Sequence, residues 1–251
     1  MRRPTRWLAL ALFLTLAATA RADDLGGAEL AVPASPSFAL VRDQLRVQIR
    51  RESEPRAPGA ISRPDLLDTR TVLMRLPALG AEPVDVTVVE AAPWGLTPDE
   101  LIAIGLDNLE RREPPKFRQT PKLERGVQVS LLYGEHPFAA AYALSVARYP
   151  TCVGNKGALV AVPTRHATLC YPIESSRAFY AYLALVSMTT QLQVDGENPI
   201  VPHVYWFHDG VFEAQPVRIE GARVEPQPSE RFRELLRSLP RDIHDPYPRR
   251  W

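Results

Sequence analysis

Proline sets the first limit on what this chain can fold into. Of its 25 prolines, 11 cluster in residues 52–64, 114–121, 226–228 and 240–248. Proline removes a main-chain donor and is barred from helix interiors, so these clusters read as linkers or ordered loops between short elements. No internal repeat is present.

Between the clusters, hydrophobic spacing predicts the elements. Ser35-Pro36 followed by Phe38, Val41, Leu45 and Ile49 fits a capped amphipathic helix with Arg42, Arg46 and Arg50 on its wet side. Residues 52–64 read as loop, and in the ambiguous run 66–79 only Thr71–Met74 suggests a short strand. Residues 84–89 read as a strand, because Val84, Val86 and Val88 share one face and Asp85 and Thr87 the other. The clearest helix start is Thr97-Pro98-Asp99-Glu100: Thr97 caps, Pro98 suits the first helical position, and Glu100 reaches back to the Thr97 amide. Its apolar face, Leu101, Ile104, Leu106 and Leu109, runs to about Arg112, and Pro114-Pro115 ends it.

From residue 127 the expected order is strand, helix, strand, strand, helix, strand. The strands are 127–133, 159–162, 167–171 and 204–207; the helices are an Ala-rich run between Pro137 and Pro150 and one starting at Ser175-Ser176. Asp209-Gly210 then joins 204–207 to 211–214, a two-residue hairpin signal because both turn positions favour φ > 0. The fold class expected is α+β: a mostly antiparallel sheet with helices on one face, a ferredoxin-like βαββαβ core plus an added hairpin strand. A last helix, 229–239, precedes a Pro- and Arg-rich tail expected to be mobile.

The N-terminus carries an address. Arg2, Arg3 and Arg6 precede an apolar run from Trp7 to Ala18, followed by Ala20-Arg21-Ala22 before Asp23. This reads as a signal peptide over 1–22 cleaved after Ala22, since the apolar run falls well short of the ~20 residues a bilayer-spanning helix needs. The expectation is an exported protein, periplasmic or extracellular, with no membrane span after cleavage. Loss of the four leader arginines takes 30 basic against 29 acidic residues to 26 against 29, a formal charge of −3. Such a surface has no general attraction for nucleic acid or anionic lipid.

Several residues together resemble a family. Val84-Asp85-Val86 leading to Trp94-Gly95-Leu96-Thr97, then Glu100-Leu101 and Leu106-Asp107-Asn108-Leu109, are similar to a segment of the YtpQ-like bacterial proteins of unknown function. Val160-Ala161-Val162-Pro163 and the run from Asn198-Pro199-Ile200 to Asp209-Gly210-Val211-Phe212-Glu213 resemble two further stretches of that family. The likeness spans roughly 84–217 and implies a shared α+β fold; it carries over no catalytic residue. It divides the chain into a leader (1–22), an N-terminal helix and irregular segment (23–83), an α+β domain (84–217) and a C-terminal helix with tail (218–251).

Cys152 and Cys170 are the only cysteines. Strand pairing through a tight turn at 163–166 sets Cys170 level with about Leu159, and the loop holding Gly154 and Gly157 can fold Cys152 back within disulfide reach. In an oxidising compartment a bridge is favoured, contributing about 3 kcal/mol. A nucleophilic cysteine paired with His136 or His166 is the competing reading, but neither cysteine has a local base or cation.

His203 and His208 are near neighbours in sequence, yet on one strand they fall on opposite faces and share no ion without a bulge. No cofactor is implied: metal-binding runs, a phosphate loop, a dinucleotide fingerprint and a Gly-x-Ser-x-Gly elbow are all missing from the sequence. Phe179, Tyr180 and Tyr182, with Tyr205, Trp206 and Phe207, offer either an exposed aromatic patch or a core covered on both sides.

Two functions remain. One is a non-catalytic binding or structural protein of the cell envelope, engaging a protein, peptide or glycan. The other is a hydrolase-like enzyme built on Glu135, His136, Arg165 and His166, which requires at least two of these to converge on one concave site.

Overall fold

The computed structural model describes residues 36–77, 81–221 and 223–241; the leader expected at 1–22 and most of the expected tail lie outside the described residues. In chain order its elements are α1 (Phe38–Val41), β1 (Leu45–Arg51), β2 (Ser62–Pro64), β3 (Thr69–Arg75), β4 (Val84–Asp85), α2 (Val88–Ala91), α3 (Pro98–Arg112), β5 (Lys116–Gln119) and β6 (Ser130–Tyr133). A 3-10 segment, Ala139–Arg148, follows. Then come β7 (Ala158–Thr164), β8 (Ala167–Pro172), α4 (Arg177–Asp195), β9 (Val204–His208), β10 (Val211–Gln215), β11 (Val217–Glu220), β12 (Arg223–Pro226) and α5 (Glu230–Ser238).

The class is mixed α+β with antiparallel sheets, as expected. The strands from residue 116 to 215 form one sheet in the order β10-β9-β7-β8-β6-β5. The expected strand-helix-strand-strand-helix-strand chain order is present, with the Ala-rich helix realised as 3-10 turns broken at Ser145. Within the sheet β9 pairs with β7. The Asp209-Gly210 turn takes positive φ at both residues, 49° and 77°, and joins β9 to β10 as the dipeptide predicts.

The helices α4 and α5 pack in one core against this sheet, and the 3-10 segment packs in the other. Every residue of β7 is buried. Ala158, Val160 and Val162 join one core with the 3-10 segment, while Leu159 and Ala161 join another with α4 and α5. A strand apolar on successive residues has no wet side, so its sheet must be covered twice. The aromatic strand follows suit: Tyr205 is fully buried, and Trp206 and Phe207 are 6% and 8% exposed, so β9 contributes no exposed patch.

The amphipathic helix expected from Ser35 is mostly a strand. Only α1 and one 3-10 turn, Arg42–Gln44, are helical before β1 begins. Leu45 and Ile49 satisfy a helical period, but with Val47 they also satisfy a period of two, and seven paired positions along β3 select the strand. Arg46 and Arg50, expected on a wet face, are 5% and 9% exposed. The stretch 84–89 is likewise not one strand: β4 ends at Asp85, and Thr87 caps α2 by accepting the Glu90 amide at 3.1 Å.

Residues before 84 are not an irregular segment apart. β1, β2, β3 and β4 make a second antiparallel sheet, and the Val86 amide donates to the Leu73 carbonyl at 3.0 Å across the expected boundary. The α3 start carries the full capping box at Thr97 and Glu100. β5 and the β11–β12 hairpin are further elements, formed in stretches expected to be loop or unassigned.

Candidate functional site

The residues expected as a binding set, and as the alternative hydrolase-like set, are adjacent in backbone, but Glu135 and Arg165 diverge in side chain. The β7–β8 turn lies beside residues 134–140, with the Gly134 amide donating to the His166 carbonyl at 3.2 Å and the Ala140 amide to the Arg165 carbonyl at 3.1 Å. Glu135, 88% exposed, pairs with Lys116 on the edge strand β5. Arg165 turns the other way and pairs with Glu54. His166 lies close enough to His136 to disfavour a second positive charge there.

His136 is half-buried and tied into a hydrogen-bond network. Its Nδ1 accepts the Phe138 amide at 3.3 Å, and its Nε2 is 3.1 Å from the Tyr142 hydroxyl, which donates to the Glu113 main-chain carbonyl. With Nδ1 accepting and the tyrosine proton committed, the network assigns the proton to Nε2 of a neutral ring. Burial pulls the His136 pKa below its ordinary value; Glu113 opposes this, while His166 and Arg46 reinforce it. Burial likewise raises the Tyr142 phenol well above the usual tyrosine range and pushes Tyr149 up to about 12.

The acids near these groups serve a polar seam along one face of β1. Arg46 donates from Nε and Nη2 to Glu113 at 3.0 and 2.9 Å. Gln48 donates to the Pro137 carbonyl at 2.9 Å. Arg50 forks onto Asp85 at 2.8 and 3.3 Å, and Glu54 lies 3.8 Å from Arg50 while accepting Arg165. Buried ions are tolerated when paired in this way, and these side chains are consumed by structure.

The side chains that do line a concave site lie at the other end of β7 and β9. A groove of about 370 Å³ is bounded by Val153–Gly157, Trp206–Asp209 and Arg231. Its floor is set by a close approach: at Gly157, φ 88°, a Cβ would stand 2.0 Å from the Phe207 carbonyl oxygen. Gly154 and Gly157 exchange main-chain hydrogen bonds at 2.9 and 3.0 Å, leaving Asn155 and Lys156 at the tip of the turn. Cys152, just before the turn, is bridged to Cys170 on β8 with Cα atoms 5.3 Å apart, the pairing expected from the spacing.

One wall is a stack. The His208 ring lies 3.9 Å from the Trp206 ring, and the Arg231 guanidinium lies 5.3 Å from the Trp206 ring centre. The Trp206 indole donates to the Lys156 carbonyl at 2.9 Å, tying the stack to the turn. His208 Nδ1 is 3.3 Å from Asp209 and its Nε2 is 3.6 Å from Glu213, which also lies 3.7 Å from Arg231. The Lys156 ammonium has no carboxylate partner among the described residues.

His203 and His208 are not brought together. His203 meets Asp68 at 3.0 Å through Nε2 and accepts the Val217 amide at 3.2 Å. Among the described residues no group of three or more His, Cys, Asp and Glu side chains is placed to hold a metal ion, and no helix is long and apolar enough to cross a membrane.

Fold and site together define a mixed α+β protein with a disulfide-pinned polar groove. Comparisons with protein-family models, curated proteins and solved structures find no match to this chain.

Proposed function

We propose that this chain is an exported, non-catalytic binding protein whose partner or ligand engages the groove between the 153–157 turn and the β9–β10 end. The observation that carries the reading is the contrast between two side-chain sets. Glu135, His136 and Arg165 are each committed to a different structural partner, whereas Lys156 has no carboxylate partner among the described residues and stands beside a cavity whose walls are held by a disulfide and a glycine contact. Catalysis needs convergent groups; recognition needs a shaped, pre-organised surface.

Export is supported by the basic and apolar order of residues 1–22 and by the disulfide, a bond that persists in oxidising compartments. The resemblance to YtpQ-like proteins over 84–217 enters this proposal as a shared fold and nothing more. The test is a native intact mass of protein recovered from the exported fraction. The expected species starts at Asp23 and is two hydrogens lighter than the reduced chain. A start at Met1, or a full complement of thiol hydrogens, overturns the export reading.

A further inference from the structure

We infer that the groove takes an oxyanion, the carboxylate or phosphate group of a small polar molecule; this rests on the reading of the groove as a binding site. Its lining carries Lys156 and Arg231 against one acid, Asp209, and Asp209 is turned to His208 Nδ1 at 3.3 Å. The nearby Glu213 does not line it and is engaged by the Ser229 hydroxyl, His208 and Arg231.

Three features favour an anion over a neutral or cationic guest. The Lys156 ammonium is a compact charge on an exposed turn, with no carboxylate partner among the described residues. Arg231 packs over Trp206 at 5.3 Å and faces Glu213 at 3.7 Å, and its exposed guanidinium leaves N–H donors available to a ligand in the groove. Arg231 sits in the first turn of α5, a nine-residue helix, and that end adds partial positive charge from its main-chain amides. The Asn155 side chain supplies an amide beside them. A volume of about 370 Å³ lies at the small end of ligand sites, which suits a sugar acid or a phosphorylated sugar rather than a polymer segment.

The test is an amide and indole NMR titration of ¹⁵N-labelled mature chain with acetate, inorganic phosphate, glucuronate and glucose. The expected result is saturable shifts at the amides of residues 154–157 and at the Trp206 indole with the anions and not with glucose. Binding should weaken at least tenfold in both Lys156→Gln and Arg231→Gln, two substitutions at polar positions that leave the core untouched. A response to phosphate alone identifies the group as phosphate; a response to acetate and glucuronate alone identifies it as carboxylate. Anion shifts that survive both substitutions overturn the inference. Shifts with glucose and none with the anions overturn it too while leaving the groove a binding site, and silence with all four probes overturns the binding reading itself.

Discussion

His136 is held neutral by geometry that a proton would break. Its Nδ1 is occupied by the Phe138 amide, and its half-buried ring lies near Arg46 and His166. Because the folded-state pKa is depressed, the unfolded chain takes up the proton first as pH falls below about 6.5. The stabilising contribution is therefore complete above that value and is lost as pH falls toward the folded pKa. In urea unfolding between pH 7.5 and pH 5.5, the wild-type chain should lose more stability than His136→Gln; parallel profiles would show that the imidazole does not titrate with folding. His136 was visible in the sequence as one of five histidines beside an acid. Its partner Tyr142, and the Glu113 carbonyl to which that hydroxyl donates, are not visible there, because the contact between Tyr142 and Glu113 is made through the fold rather than along the chain. The same holds for the groove: Trp206, His208 and Arg231 lie on β9 and α5, and only the Gly154 and Gly157 spacing hinted at a built turn.

Elements whose signal is local were readable, and those whose signal depends on a distant neighbour were not. The α3 capping box sits within four consecutive residues, and the Asp209-Gly210 hairpin within two, so both were seen in advance. β1 is not legible locally because Leu45 and Ile49 fit both periods, and the deciding partner, β3, is 18 or more residues downstream along the whole ladder. β5 and the β11–β12 hairpin lie beside prolines that had marked their surroundings as loop. At the 153–157 turn the constraint is steric: Gly157→Ala must place a methyl 2.0 Å from the Phe207 carbonyl oxygen at a positive φ. Strain of this kind costs about 1–3 kcal/mol before the clash is relieved. The variant should unfold at lower urea by at least that amount, and an unchanged midpoint would mean the turn is not pressed against β9.

Across the whole molecule, two cores share the central sheet, and β7, β8 and β9 each place residues in both. The Cys152–Cys170 bridge ties the start of the groove turn to β8, which pairs with β7. Closing a separation of 18 residues should contribute about 3 kcal/mol. Unfolding in the presence of a phosphine reductant should lower stability by about that much, and an identical curve with and without reductant would remove the bond from the account. The seam along β1 has a consequence for the order of assembly. Arg50 meets Asp85 35 residues away, Arg46 meets Glu113 67 away, and Glu54 meets Arg165 111 away. Until those carboxylates and that guanidinium arrive, the arginines of β1 are better hydrated by water than by protein. The first strand in the described chain is thus the one whose burial must wait, leaving an early apolar and cationic segment exposed to whatever chaperone or membrane surface meets the unfinished chain.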